Sequence, residues 1–133
     1  MTNTEALNIF LIDDNDIDIV VNTKLLKLAN IADSIHSFNT CDEGFNFIQT
    51  NLVELEKGNN VLLLDIQMPN IDGFECLVKF QDFNQSFKEK CKVFMLSSSI
   101  DRNDIERAEM NPTILKVLEK PLDVYLLKRI ISQ

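Results

Sequence analysis

Four apolar runs constrain this chain more than any other feature: Ile9 to Ile12, Val61 to Leu64, Val93 to Leu96 and, interrupted only by Lys116, Ile114 to Leu118. Unbroken apolar runs, unlike alternating ones, mark strands covered on both faces by crossover helices. A weaker run, Ile35 to Phe38, makes a fifth strand. Segments with helical spacing separate all five. The alternation predicts an α/β fold, a doubly wound five-stranded parallel sheet with five helices and right-handed crossovers.

The expected strands are Ile9 to Ile12, Ile35 to Phe38, Val61 to Asp65, Cys91 to Ser97 and Ile114 to Glu119. In the first helix Ile17, Val20, Val21, Leu25 and Leu28 form one apolar stripe, with Asp14 or Asn15 as its cap. The second runs from Asp42 to Leu55 and turns Phe45, Ile48, Leu52 and Leu55 to one side. Asp72 caps a third helix that reaches Phe83, and Gln85 to Lys90 is a polar connection. The fourth, Asp101 to Met110, has few apolar residues beyond Ile105 and Ala108 and is expected to be loosely held. The fifth runs from Leu122 to Ile131; Tyr125, Leu126 and Ile130 cannot all share the inward stripe of Leu122 and Leu127, which leaves apolar surface for a partner or a second copy.

At 133 residues the chain fits a single domain, 1–133, with room for a core and no output domain. The net charge of −8 argues against general electrostatic binding of nucleic acid or an anionic membrane. Cys41, Cys76 and Cys91 are odd in number and far apart, and are expected to be free thiols in a reducing compartment. His36, the one histidine, has no partner for metal ligation and is expected to be structural. No apolar run reaches transmembrane length and the N-terminus has no signal-peptide pattern, so a cytoplasmic location is expected.

Each apolar run is closed by polar groups: Asp13-Asp14, Asp65, Ser97 and, after Glu119, Lys120-Pro121. Taken singly, each has a plain explanation: an Asp can cap the next helix, a Ser can make a turn, and Lys-Pro can start a helix. All four lie at carboxyl ends of strands, where open parallel sheets bind ligands. Gathered there, three carboxylates repel one another by several kcal/mol per pair at an effective dielectric of about 20, and a divalent cation relieves them. Few carboxylates with room for water favour magnesium, or manganese, and a phosphate oxygen. A carboxylate is also a nucleophile toward phosphorus, and Asp65, ending the most central strand, is the candidate; Asp13 and Asp14 would hold the metal.

Those residues, with Leu64-Asp65-Ile66-Gln67-Met68-Pro69 and Asp72-Gly73 behind them, closely resemble the response-regulator receiver domain of two-component signalling, in order and over essentially the whole chain. The resemblance implies a flavodoxin-like sheet of strand order 2-1-3-4-5. It implies that Asp65 accepts a phosphoryl group from a sensor histidine kinase or a phosphotransfer protein. It implies that Asp13, Asp14, Asp65 and the backbone carbonyl of Gln67 bind magnesium or manganese, and that Ser97 and Lys120 bind the phosphoryl oxygens. Gln67 and Ser99 fall at positions that tune the lifetime of the aspartyl phosphate, and Pro121 follows a cis peptide bond.

Two departures bear on output. Val117 stands three residues before the lysine, where the family usually has a switch aromatic, and Glu109-Met110-Asn111-Pro112 replaces a common Gly-Ala pair. A hydroxyl shift and a rearrangement of the fourth helix are the remaining relays. The expected function is a phosphorylation-dependent switch, not an enzyme beyond phosphoryl acceptance and slow autodephosphorylation. It would signal to an unidentified downstream protein, or to a second copy in a phosphorylation-dependent homodimer, through the fourth helix, fifth strand and fifth helix. Two alternatives are a receiver-like scaffold that is not phosphorylated and a magnesium-dependent phosphohydrolase of the aspartate-nucleophile type. The hydrolase signature needs a second Asp where Gln67 stands.

Overall fold

In a computed structural model that describes residues 6–98 and 102–132, five parallel strands form one sheet in the order β2-β1-β3-β4-β5. The strands are β1 (Leu7–Ile12), β2 (Ser34–Phe38), β3 (Asn59–Asp65), β4 (Cys91–Ser97) and β5 (Ile114–Glu119). The described helices are α1 (Asp16–Leu28), α2 (Cys41–Thr50), α3 (Leu52–Leu55), α4 (Gly73–Phe80), α5 (Gln85–Glu89), α6 (Arg102–Glu109) and α7 (Val124–Ile131). Ser99 and the expected helix start at Asp101 lie outside the described residues.

Side chains alternate across each strand and build two cores. Phe10, Ile12, Leu62, Leu64 and Met95 face one way, against α2, α4, α5 and α6 through Ile48, Phe74, Phe87 and Ala108. Ile9, Leu11, Val61, Leu63, Phe94 and Leu96 face the other, against α1 and α7 through Leu26 and Leu127. Burial on both faces explains why the three central strands are continuously apolar.

Seven helices among the described residues, where five were expected, follow from two local breaks. Asn51 ends α2 by turning its side-chain amide back onto the carbonyl of Phe47 at 2.8 Å, and α3 starts afresh beyond it. The connection after α4 is not all loop: the Asn84 side chain caps α5 through the N–H of Phe87, whose ring is buried in the aromatic cluster with Phe80 and Phe83. His36 has the structural place expected, its ring stacked on Phe10 and tilted against Phe47, and burial lowers its pKa.

Of the expected stripe of α1 only Leu25 packs inward; Ile17, Val20, Val21 and Leu28 are turned outward. Ile17, Val20 and Leu28 are 74%, 65% and 76% exposed, while Asn22 and Leu26 are buried and Ile19 and Leu25 pack against the core. The helix carries two apolar stripes, and polar contacts decide between them: Asp18 reaches Lys120 and Asn22 reaches the N–H of Leu122.

The cysteines also depart from expectation. Cys41 and Cys76, both buried, are joined by a disulfide that ties the start of α2 to α4, and Cys91 alone is free. A spacing of 35 residues with no local motif gave no sign of this pairing.

Candidate functional site

Strand register brings the polar ends together. Ile12 pairs with Leu64, so Asp13 lies level with Asp65; Asp65 pairs with Leu96, one residue short of Ser97. Between β4 and β5 the register slips by one: Val93 faces Ile114, but Phe94 faces Lys116. The slip sets Ser97 against Glu119 and puts Lys120 one step beyond the strand end. Unslipped pairing would put Glu119 there instead, adding a carboxylate where the site holds its ammonium.

The Lys120 ammonium lies 2.7 Å from Asp13 Oδ2, 3.0 Å from Asp18 Oδ2 and 3.3 Å from Asp65 Oδ1. Asp13 and Asp65 are buried; Asp14 is exposed. One carboxylate oxygen from each of Asp13, Asp14 and Asp65 lies within 4.8 Å of the others. Asp13 Oδ1 accepts the N–H of Asn15 at 2.9 Å, whereas Asp13 Oδ2 is buried, has no aligned hydrogen bond among the described residues and faces the ammonium. A buried, under-bonded oxygen among three converging carboxylates is the donor set a hard divalent cation takes.

Electrostatics follow from the crowding. Burial, then the charge of Asp13, pushes the Asp65 carboxyl up to about 7 against the pull of Lys120. Burial works to lower the Lys120 pKa, but hydrogen bonds to Asp13 and Asp18 and the charges of Asp65 and Asp13 outweigh it and hold the ammonium above its ordinary range. The site therefore holds more negative than positive charge and keeps its one lysine protonated.

Local structure holds these groups in place. The carbonyl of Ser97, whose side chain is buried, accepts the N–H of Lys120 at 2.9 Å, and the Lys120-Pro121 peptide is cis, as the resemblance implied. Asn15 rather than Asp14 caps α1. Asp72 forms a capping box with Glu75 at the start of α4. A Cβ at Gly73 would come within 2.6 Å of the Asp65 carbonyl oxygen, so only glycine lets α4 begin this close to the site strand. Gln67 is exposed; its N–H approaches Asp65 Oδ1 at 3.4 Å, and its carboxamide reaches Asp104 of α6, also at 3.4 Å.

Asp18 and Asn22 are the residues sequence reasoning missed. Asn22 is buried and its side-chain oxygen accepts the Leu122 N–H at 3.0 Å, securing the chain just after Lys120-Pro121. The signal was present: Asp18 and Asn22 lie four residues apart and so share one face of α1, a polar pair on a helix that begins just after Asp13-Asp14.

The family model described as the response regulator receiver domain matches residues 9–132. Among solved structures, a response regulator receiver protein from Dyadobacter fermentans DSM 18053 is 30% identical, with 96% of each chain covered and a TM-score of 0.78. A two component response regulator from Cytophaga hutchinsonii is 27% identical, again with 96% of each chain covered and a TM-score of 0.84.

Proposed function

Since the chain belongs to the response regulator receiver domain family, we propose that it is a switch that accepts a phosphoryl group on Asp65 from a sensor histidine kinase or phosphotransfer protein. The observation that carries this reading is the Lys120 ammonium, within 3.3 Å of both Asp65 and Asp13 beside three converging carboxylates. A carboxylate oxygen of Asp65 attacks phosphorus, the P–N bond of the donor phosphohistidine breaks, and the imidazole leaves carrying a proton. Asp13, Asp14, Asp65 and the Gln67 carbonyl would hold magnesium or manganese, which would supply positive charge against the carboxylates and the incoming oxygens. Lys120 and the Ser97 hydroxyl bind the phosphoryl oxygens, and Gln67 and Ser99 limit the access of water.

The chain acts on no other substrate in this reading; it takes up the phosphoryl group and slowly loses it. Its partners are proteins. The exposed Ile17 and Val20 of α1 offer the donor an apolar platform. Output leaves through α6, β5 and α7, where Met110, Leu115 and Tyr125 are exposed, toward a downstream protein or a second copy. We place the protein in the cytoplasm: no described helix is long and apolar enough to cross a membrane, and a disulfide this buried exchanges slowly with cellular thiols.

Incubation with phosphoramidate and magnesium is expected to label the wild type, with no labelling of Asp65→Asn and none in EDTA. Acid-stable, stoichiometric labelling of the Asn variant would overturn the assignment. Mass measured with magnesium and fluoroberyllate, an aspartyl-phosphate mimic, separates the outputs: a doubled mass assigns the exposed face to a second copy, and an unchanged mass to a different protein.

A further inference from the structure

The Lys120 ammonium has three donor hydrogens and three carboxylate neighbours, which do not stand in the same relation to the site. Asp13 and Asp65 belong to the trio whose oxygens converge within 4.8 Å. Asp18 does not; it comes from the first turn of α1, approaches from the helix side at 3.0 Å and is 33% exposed. A divalent cation among Asp13, Asp14 and Asp65 takes up most of the charge that those residues offer the ammonium. Asp18 is then the one full carboxylate left to Lys120. A phosphoryl group on Asp65 must draw the same ammonium away from it, since both are charge-assisted acceptors of the same donor.

We propose that Asp18 is a positioning residue for Lys120, a parking carboxylate that holds the ammonium on the α1 side of the cation-loaded site and so sets how tightly the site grips a phosphoryl group. This rests on the phosphoryl-accepting role of Asp65. Without Asp18 the ammonium has two consequences to express, of opposite sign. In the cation-free site it falls back entirely on Asp13 and Asp65, where it competes with the entering cation. Once the cation is bound, it is free for the phosphoryl oxygens.

The test is calorimetric titration of the whole chain with magnesium alone, then with fluoroberyllate at saturating magnesium, for the wild type and three variants. Asp18→Asn is expected to bind fluoroberyllate roughly three- to tenfold more tightly and magnesium alone roughly two- to fivefold more weakly, the range of a partly exposed ion pair. Asp18→Glu, which keeps the charge, is expected to restore both affinities toward wild type. Asp16→Asn removes the same charge from the same turn, but Asp16 pairs with Asn39 and not with Lys120; each affinity should move less than about twofold.

Equal shifts in Asp18→Asn and Asp16→Asn would reduce the effect to through-space charge and overturn the proposal. So would unchanged affinities in Asp18→Asn, or weaker binding of both ligands, which would mark a structural role. A wild type that binds magnesium but no fluoroberyllate would instead bring down the phosphoryl-accepting reading itself, and the parking role with it.

Discussion

Asp65 sits where burial and a neighbouring Asp13 both oppose its ionisation, and one lysine shared with two other carboxylates does not fully compensate. Its carboxyl is pushed up to about 7 from the 3.8 of the free side chain. Between those two pH values the folded protein holds a proton that the unfolded chain has already released. Linkage then makes the metal-free protein lose stability as pH rises from about 4 to 7, with the loss complete above that window. Asp65→Asn removes the buried charge while leaving Lys120 paired with Asp13 and Asp18. In EDTA the variant is therefore expected to be about 1–3 kcal/mol more stable than wild type at pH 8, with the gap closing near pH 4, as read from urea unfolding. Magnesium at pH 8 should stabilise the wild type more than the variant. A gap that is the same at both pH values would show that the buried carboxyl is not the source.

Sequence and structure part company at α1 and at the β4–β5 pairing, for the same reason: each is decided by a contact that has no local pattern. The apolar periodicity of α1 is real but double, and Ile17, Val20 and Leu28 lost to Ile19 and Leu26 because Asp18 and Asn22 had distant partners at Lys120 and Leu122. The slip that moves Lys120 beyond Ser97 inserts Leu115 into an otherwise ordinary run, and nothing in Ile114 to Leu118 announces it. By contrast Asp13 and Asp65 were legible because each ends an apolar run that is buried, and Lys120 because it follows within two residues of the last run and precedes a proline. The tie between α1 and the segment after β5 gives an element-scale prediction. Asn22→Ala leaves the buried Leu122 N–H without its acceptor, which should cost about 1–3 kcal/mol in urea unfolding. Because that N–H lies two residues beyond Lys120, phosphoramidate labelling should slow as well. A destabilised variant that labels at the wild-type rate would mean that the tie supports α7 without positioning the lysine.

Across the whole molecule, the apolar runs and their helical intervals were enough to read a doubly wound parallel sheet, since burial of β1, β3 and β4 on both faces leaves few alternatives for strands that apolar, while the edge strands β2 and β5 are only partly buried. Helix number and cysteine pairing escaped, because Asn51, Asn84 and the Cys41–Cys76 bond act over geometry rather than over periodicity. The disulfide joins two helices on one face of the sheet and closes a loop of sequence separation 35. Chain-entropy arguments give such a closure about 2–4 kcal/mol, exerted mainly by restricting the unfolded chain. Unfolding in urea with a strong reductant is therefore expected to lower the wild-type stability by that amount, and to leave a Cys41→Ala, Cys76→Ala double variant unaffected by the reductant. The Asp65, Lys120 and Asp13 contacts include neither cysteine, so the double variant, where folded, should still be labelled by phosphoramidate within about twofold of the wild-type rate, less than the effect of a tenfold-equivalent 1.4 kcal/mol. Identical wild-type unfolding with and without reductant would show that the bridge carries no weight in solution. A labelling rate that collapsed with the bridge would place it within the switch itself, since α4 begins beside Asp65 and the bond anchors that helix.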